Sequence, residues 1–177
     1  MNTIGRGLRA ALDRLYFAGG LIAAGFLIAI LVIIVLQMAA RWTGQVFPGS
    51  TDYAGYCMAG ASFFAFAHAL NRGAHIRVSL LLSKLGRYRR WAEVWCFSIA
   101  SALGCYFAYY AIRAVYWSYK LNDISQGQDA TPIWIPQLAM AAGTVLLAVA
   151  LVDNLVRILF FGAHGIESDT VEQSHGE

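Results

Sequence analysis

Charge is scarce in this chain. Of its 177 residues only 13% are Asp, Glu, Lys or Arg, against 59% hydrophobic, whereas a soluble domain carries about 25% charged residues. That shortage excludes an ordinary soluble domain and points to lipid as the surrounding solvent. Proline is scarcer still, with three residues in all, so long stretches can run as uninterrupted helix. Cysteine is equally rare. Cys57, Cys96 and Cys105 form no CxxC and no close pair, which argues against a disulfide framework or a thiolate metal centre. Cys96 and Cys105 would lie ~13 Å apart along one helix, beyond disulfide reach, and all three are expected as small buried packing residues. No GxSxG, Walker loop or HExxH occurs, so nothing in the sequence argues for an enzyme.

What the chain does have is four apolar runs. A bilayer core of ~30 Å needs roughly 20 apolar residues per helix. The runs predict spans at about 16–39, 52–70, 91–117 and 133–160, a single four-span membrane domain over 1–165, and an acidic tail from 166 to 177 expected to be disordered. The first span holds "FLIAILVIIVLQMAA", without a charge. It is too long for the core of a secretory signal despite Arg6, Arg9 and Arg14 ahead of it, so it is expected as an uncleaved anchor. Gly19, Gly20 and Gly25 are expected to leave a flat patch on it for a neighbouring helix. The second span is rich in small residues, among them Gly55, Ala59, Gly60 and Ala61, which suit a helix partner better than lipid on all sides. Its start follows Pro48-Gly49, with Ser50, Thr51 or Asp52 as expected caps. The third ends in an aromatic belt with Arg113 placed to snorkel to the headgroups. The fourth opens on Thr131, Pro132, Ile135 and Pro136, and the two prolines are expected to set its start and angle.

The thirteen Lys and Arg residues divide unevenly. Ten fall at the N-terminus, in the stretch 71–90 and near the end of the fourth span; three, Arg41, Arg113 and Lys120, fall on the other side. The positive-inside bias therefore puts both termini in the cytoplasm. The cytoplasmic insert "NRGAHIRVSLLLSKLGRYRR" then reads as a turn followed by a brace. Gly73 and His75 turn the chain out of the second span. Ser79 caps a short helix, and Val78, Leu81, Leu82 and Leu85 form its apolar face. Such a short helix would not hold in water by itself, whereas one lying in the interface with basic residues toward anionic headgroups is supported there.

A solute pathway normally shows ionisable groups at mid-membrane. Here Glu93 and Asp153 sit toward the cytoplasmic ends of their spans, each with an arginine, Arg89 or Arg157, at i,i+4 spacing. Haem between helices needs histidines on facing positions. His68 and His75 share one edge, while His164 and His175 are in the tail. No cofactor, metal or nucleic acid is implied, the last because the basic residues cluster at span ends and not along one polar face.

The fold class expected from all this is an all-α integral membrane protein, with four transmembrane helices plus a short cytoplasmic interfacial amphipathic helix. Four spans, "RGAHIRVSLLL" after the second and "TPIWIPQLAMAAG" opening the fourth together resemble the small membrane subunit, DctQ-like, of a tripartite ATP-independent periplasmic (TRAP) transporter. The resemblance covers about residues 28–157, and its best signal is Gly73, His75, Ile76 and Val78 followed by Thr131, Pro132 and Pro136. Where the family usually has Asp, this chain has Ser79. Of the family's Pro-Trp-Ser/Thr-Glu-Glu run before the second span, "FPGSTDYAGY" keeps Pro48, Thr51 and the acidic Asp52. The resemblance implies a bacterial inner-membrane subunit with no substrate site of its own. Its partners would be a large TRAP permease subunit and a periplasmic solute-binding protein, besides membrane lipids. Its role would be a scaffold in ion-coupled uptake of a small, often carboxylate-bearing solute. Two other readings stand beside it: a membrane anchor for a redox enzyme holding haem or quinone, and a small exporter working as an oligomer.

Overall fold

The computed structural model describes residues 3–71, 89–128 and 130–161. Four helices carry nearly all of them: α1 (Thr3–Trp42), α2 (Ser50–Asn71), α3 (Arg89–Lys120) and α4 (Trp134–Phe161). The brace expected at 79–85, with Gly73, His75 and Ser79, lies outside the described residues.

Each helix stops for a local reason. Gly44, at φ 71°, takes the left-handed conformation after α1. Its N–H then donates to the Arg41 carbonyl at 3.3 Å and the Gln45 N–H to the Ala40 carbonyl at 2.9 Å, the paired bonds of a Schellman motif. At the end of α3 the same job falls to Asn122, at φ 52°, with Asp123 N–H donating to the Ser118 carbonyl at 3.0 Å. Asn is the ordinary substitute for Gly there. The N-cap of α2 is Gly49, whose carbonyl accepts from Tyr53 N–H at 3.0 Å. Ser50, Thr51 and Asp52 are therefore the first three helical residues and not its caps, with the Asp52 carboxylate in the first turn, where the helix dipole favours it.

The connection after α3 is more ordered than its polar composition suggests. Ile124 and Pro132 form an antiparallel bridge, closed by Ser125 N–H to the Thr131 carbonyl at 2.7 Å and Ile133 N–H to the Asp123 carbonyl at 3.0 Å. Pro132 thus belongs to this hairpin, and Ile133 caps α4 by accepting from Gln137 N–H at 3.2 Å. Pro136 falls in the first turn, where its missing N–H leaves no intrahelical bond unmade.

In space the order is α1, α2, α4, α3. Helix α1 packs on α2, α2 on α4 and α4 on α3, while α1 meets α4 only slightly. Gly19 on Phe64 and Gly60 on Phe26 pair α1 and α2 in opposite directions, while Tyr53 on Thr131 just before α4, Gly143 on Phe63, and Ala67 and Leu70 clustered with Leu146 and Ala150 set α4 alongside α2 in the same direction. The helices therefore run up and down as a layer with α2 and α4 at its centre. Three of them are long and apolar enough to cross a membrane: Arg9–Trp42, Trp91–Lys120 and Trp134–Phe160. Helix α2 falls short of that apolarity, with Asp52, His68 and Asn71 among its 22 residues.

Small residues set how closely the layer packs. A Cβ on Gly143 would stand 2.7 Å from the backbone carbon and Cβ of Phe63, so the α2 and α4 backbones approach as only glycine allows. A Cβ on Gly19 would meet Leu146, one on Gly20 the His68 ring, and one on Gly60 the Phe26 ring. The expected flat patch on α1 thus holds for Gly19 and Gly20. It does not hold for Gly25, which faces open space, nor does Gly55 on α2 meet a neighbour. Around the glycines the core gathers at one end, with Tyr16, Ala67, Leu70, Leu146 and Ala150 buried together.

Candidate assembly site

Two polar features stand out in this apolar layer, one at each end. At the core end Tyr16 of α1 is buried to 1% exposure and Asn154 of α4 to 0%. The Asn154 amide donates to the Ala150 carbonyl at 2.8 Å, an i,i−4 bond that satisfies its NH2 group within its own helix. Beside it Arg157 and Asp153 pair at 2.8 Å with little exposure on either side chain, the i,i+4 pair expected from sequence. The Tyr16 hydroxyl lies within electrostatic reach of both charges. The side chain of Arg89, the expected partner of Glu93, lies outside the described set.

At the other end the hairpin is fastened to α2. Tyr56 and Ser125 share a hydroxyl–hydroxyl hydrogen bond of 2.7 Å, and Tyr53 and Thr131 one of 3.2 Å. Ser125 Oγ also accepts from the Gly127 N–H at 3.2 Å. Tyr119 and Trp134 meet edge to face at 5.6 Å across the base of the same hairpin, a geometry favoured by the ring quadrupoles. The two tyrosines, one turn apart on α2, thereby fix the hairpin that leads into α4. Pro132 and Pro136 sit in that fastened unit; Asp52 lies one residue before Tyr53 at the same end.

Sequence reasoning missed Tyr16, Asn154, Gly143 and the Tyr53–Tyr56 fastening. A lone amide within an apolar run was a readable signal for Asn154, since a polar side chain there needs a partner. No pattern along the chain pairs Tyr56 with Ser125, 69 residues away. The cysteines also need correction. Cys57 is half-buried, but Cys96 and Cys105 are exposed, because α3 has one close neighbour and covers only one face. His68 packs on Gly20 and lies 6.4 Å from the Phe17 ring. Among the described residues no group of His, Cys, Asp or Glu side chains is placed to hold a metal.

A groove runs over α4 on one side of the layer. Leu15 and Ile22 of α1 and Ile112 of α3 wall it, Phe64 of α2 contributes to its lining, and Ala142 and Val149 form its floor, enclosing about 520 Å³. Every residue lining it is apolar. Large apolar side chains are also exposed along α1, for example Leu27, Ile28 and Leu31 at 60% or more. On a soluble monomer so much contiguous apolar surface would be a liability.

These features define a multi-pass helical membrane protein whose helices pack through small and apolar residues and whose hairpin is fastened to a neighbouring helix by hydroxyl pairs. The family model for tripartite ATP-independent periplasmic transporters, DctQ component, matches residues 30–161, which include α2, α3, α4 and part of α1. The chain belongs to the DctQ family, the small permease subunit of TRAP transporters. It is accordingly a component of a transporter of the inner membrane, in a family that associates with a large permease and a solute-binding protein. Comparison with curated proteins and with solved structures finds no match.

Proposed function

We propose that this subunit is a four-span scaffold, with both termini cytoplasmic, that holds the large transport subunit of a TRAP transporter during ion-coupled uptake of a small carboxylate-bearing solute. The observation that carries the reading is the DctQ match across 30–161, joined to a layer packed through small and apolar residues whose hairpin is fastened to α2. The position of α2 supports a fourth span. It lies antiparallel to α1 and parallel to α4, and its 22 residues rise ~33 Å, the depth of a bilayer core. Flanked by α1 and α4, it needs fewer large apolar groups than a helix with lipid on all sides.

The uncharged groove over α4 receives a helix of the large subunit, and Ala18, Gly19, Ala141 and Ala142 in its apolar lining suit close helix packing. The fastened hairpin faces the periplasm, where with the loop 41–51 it meets the solute-binding protein.

The test is reconstitution. Proteoliposomes holding the large subunit alone are compared with those holding both subunits, each given solute-loaded binding protein and an ion gradient. Uptake should require both, and this chain should copurify from native membranes with a much larger polytopic protein. Recovery as a lone stable monomer from mild detergent, or full uptake without it, would overturn the reading.

A further inference from the structure

Helix α3 shows its outward face to the surroundings along its whole length, and that face changes character toward the hairpin end. Arg113, Tyr116, Trp117 and Lys120 occupy positions i, i+3, i+4 and i+7, so they form one patch, and all four are exposed. The Lys120 side chain folds back along the helix. Its ammonium sits 5.3 Å from the centroid of the Trp117 ring and 6.0 Å from that of Tyr116, which draws the charge toward Arg113. The two rings lie edge to face at 5.9 Å, and a ladder of tyrosines continues below them, with Tyr106 and Tyr110 at 4.6 Å.

Neither cation has an ion-pair partner among the described residues. The acid nearest in sequence, Asp123, lies beyond the turn that ends α3 and forms no ion pair with Lys120. Glu93, the acid within α3, is 20 residues from Arg113, ~30 Å along the axis. Two cations with no acid between them, beside an indole N–H and a phenol at headgroup depth, complement a phosphate of net negative charge. The exposed tyrosine ladder below offers ring faces and edges to an acyl chain.

We propose that Arg113, Lys120, Tyr116 and Trp117 form a binding site for the headgroup of an anionic phospholipid of the phosphatidylglycerol class, which makes the outer face of α3 the lipid-facing edge of the subunit. The site needs α3 to cross the bilayer and is independent of the solute carried. Arginine supplies a planar fork for two phosphate oxygens, and the ammonium held over the rings supplies a second charge within reach of the same group. A zwitterionic headgroup brings its own cation and fits less well.

The experiment is native mass spectrometry of the purified transporter complex in detergent carrying equal phosphatidylglycerol and phosphatidylethanolamine. The complex should retain phosphatidylglycerol in preference. Each of Arg113→Gln and Lys120→Gln should weaken retention about fivefold, and the double variant more than tenfold. Arg41→Gln, which removes an exposed cation at the same end of α1, should leave it within about twofold. A second measurement uses the unaltered complex in nanodiscs, with a soluble lysine peptide added to the same sample as reference. A water-soluble acetylating reagent should modify Lys120 more slowly in phosphatidylglycerol than in phosphatidylcholine. Unchanged retention in the double variant, an equal loss in Arg41→Gln, no headgroup preference, or equal Lys120 modification in the two lipids would each overturn the proposal.

Discussion

Glycine at position 143 and the ion pair near the end of α4 are the residues on which the layer depends most directly. A methyl at 143 meets backbone and not a flexible side-chain tip, so the two helices have to move apart. Gly143→Ala is expected to cost about 1–3 kcal/mol, the range for overpacked sites, and to lower the melting temperature in detergent. Gly25→Ala and Gly55→Ala, which meet nothing within 4 Å, should be neutral or gain roughly 0.5–1 kcal/mol from helix propensity. If all three behave alike, close approach at Gly143 is not what spaces the helices. For the Asp153–Arg157 pair, removing one member leaves an uncompensated charge at a site with little exposure. Asp153→Asn or Arg157→Gln alone should destabilise by about 3–5 kcal/mol, while the double change should recover much of that. Additive losses in the double-mutant cycle would show that the two charges do not act together.

At the scale of elements, the hairpin and the two tyrosines of α2 act as one clasp. Tyr56→Phe and Ser125→Ala each remove the same 2.7 Å bond, and Ser125→Ala also the bond from the Gly127 N–H; Tyr56→Phe should cost about 1 kcal/mol, the double variant no more than Ser125→Ala alone, and each should speed amide exchange across 121–133. Replacing Pro132 and Pro136 together with alanine frees both the bridge residue and the first turn of α4. Lower yield of the assembled transporter is expected, and an unchanged complex with full uptake would show that neither proline guides assembly. Much of this level was legible beforehand. The long apolar runs, the Pro48-Gly49 break, the aromatic belt and the Asp153–Arg157 spacing each carry their structural meaning within a few residues of sequence. The clasp was not, because hydroxyl pairs 69 and 78 residues apart leave no periodic trace. Nor was the spatial order. A repeating 3.6-residue pattern says which face is buried but not against which helix, and the choice of α4 as the second neighbour of α2 rests on Gly143, a residue that reads in sequence as one small residue among many.

The layer as a whole offers two unlike surfaces to a membrane. Around the free end of α3 the exposed groups are aromatic and cationic. Over α4 they are small, branched and uncharged, and α1 and α3 stand up on either side as walls. A helix gains little from the hydrophobic effect inside lipid, so partners there are chosen by close van der Waals fit. That favours the groove over α4 as the seat of the large subunit. A tryptophan in place of the exposed Ala142 would occupy the groove while leaving the contacts of α4 with α2 and α3 untouched. Ala142→Trp should therefore keep the melting behaviour of the isolated subunit but reduce recovery of the large subunit in pull-downs about tenfold or more, since 1.4 kcal/mol suffices for that factor. Ser62→Trp, on an exposed part of α2 outside the groove lining, is the matched control and should leave recovery unchanged. Equal recovery with both variants would place the large subunit on another face, and a loss with Ser62→Trp alone would move it to the opposite side of the layer.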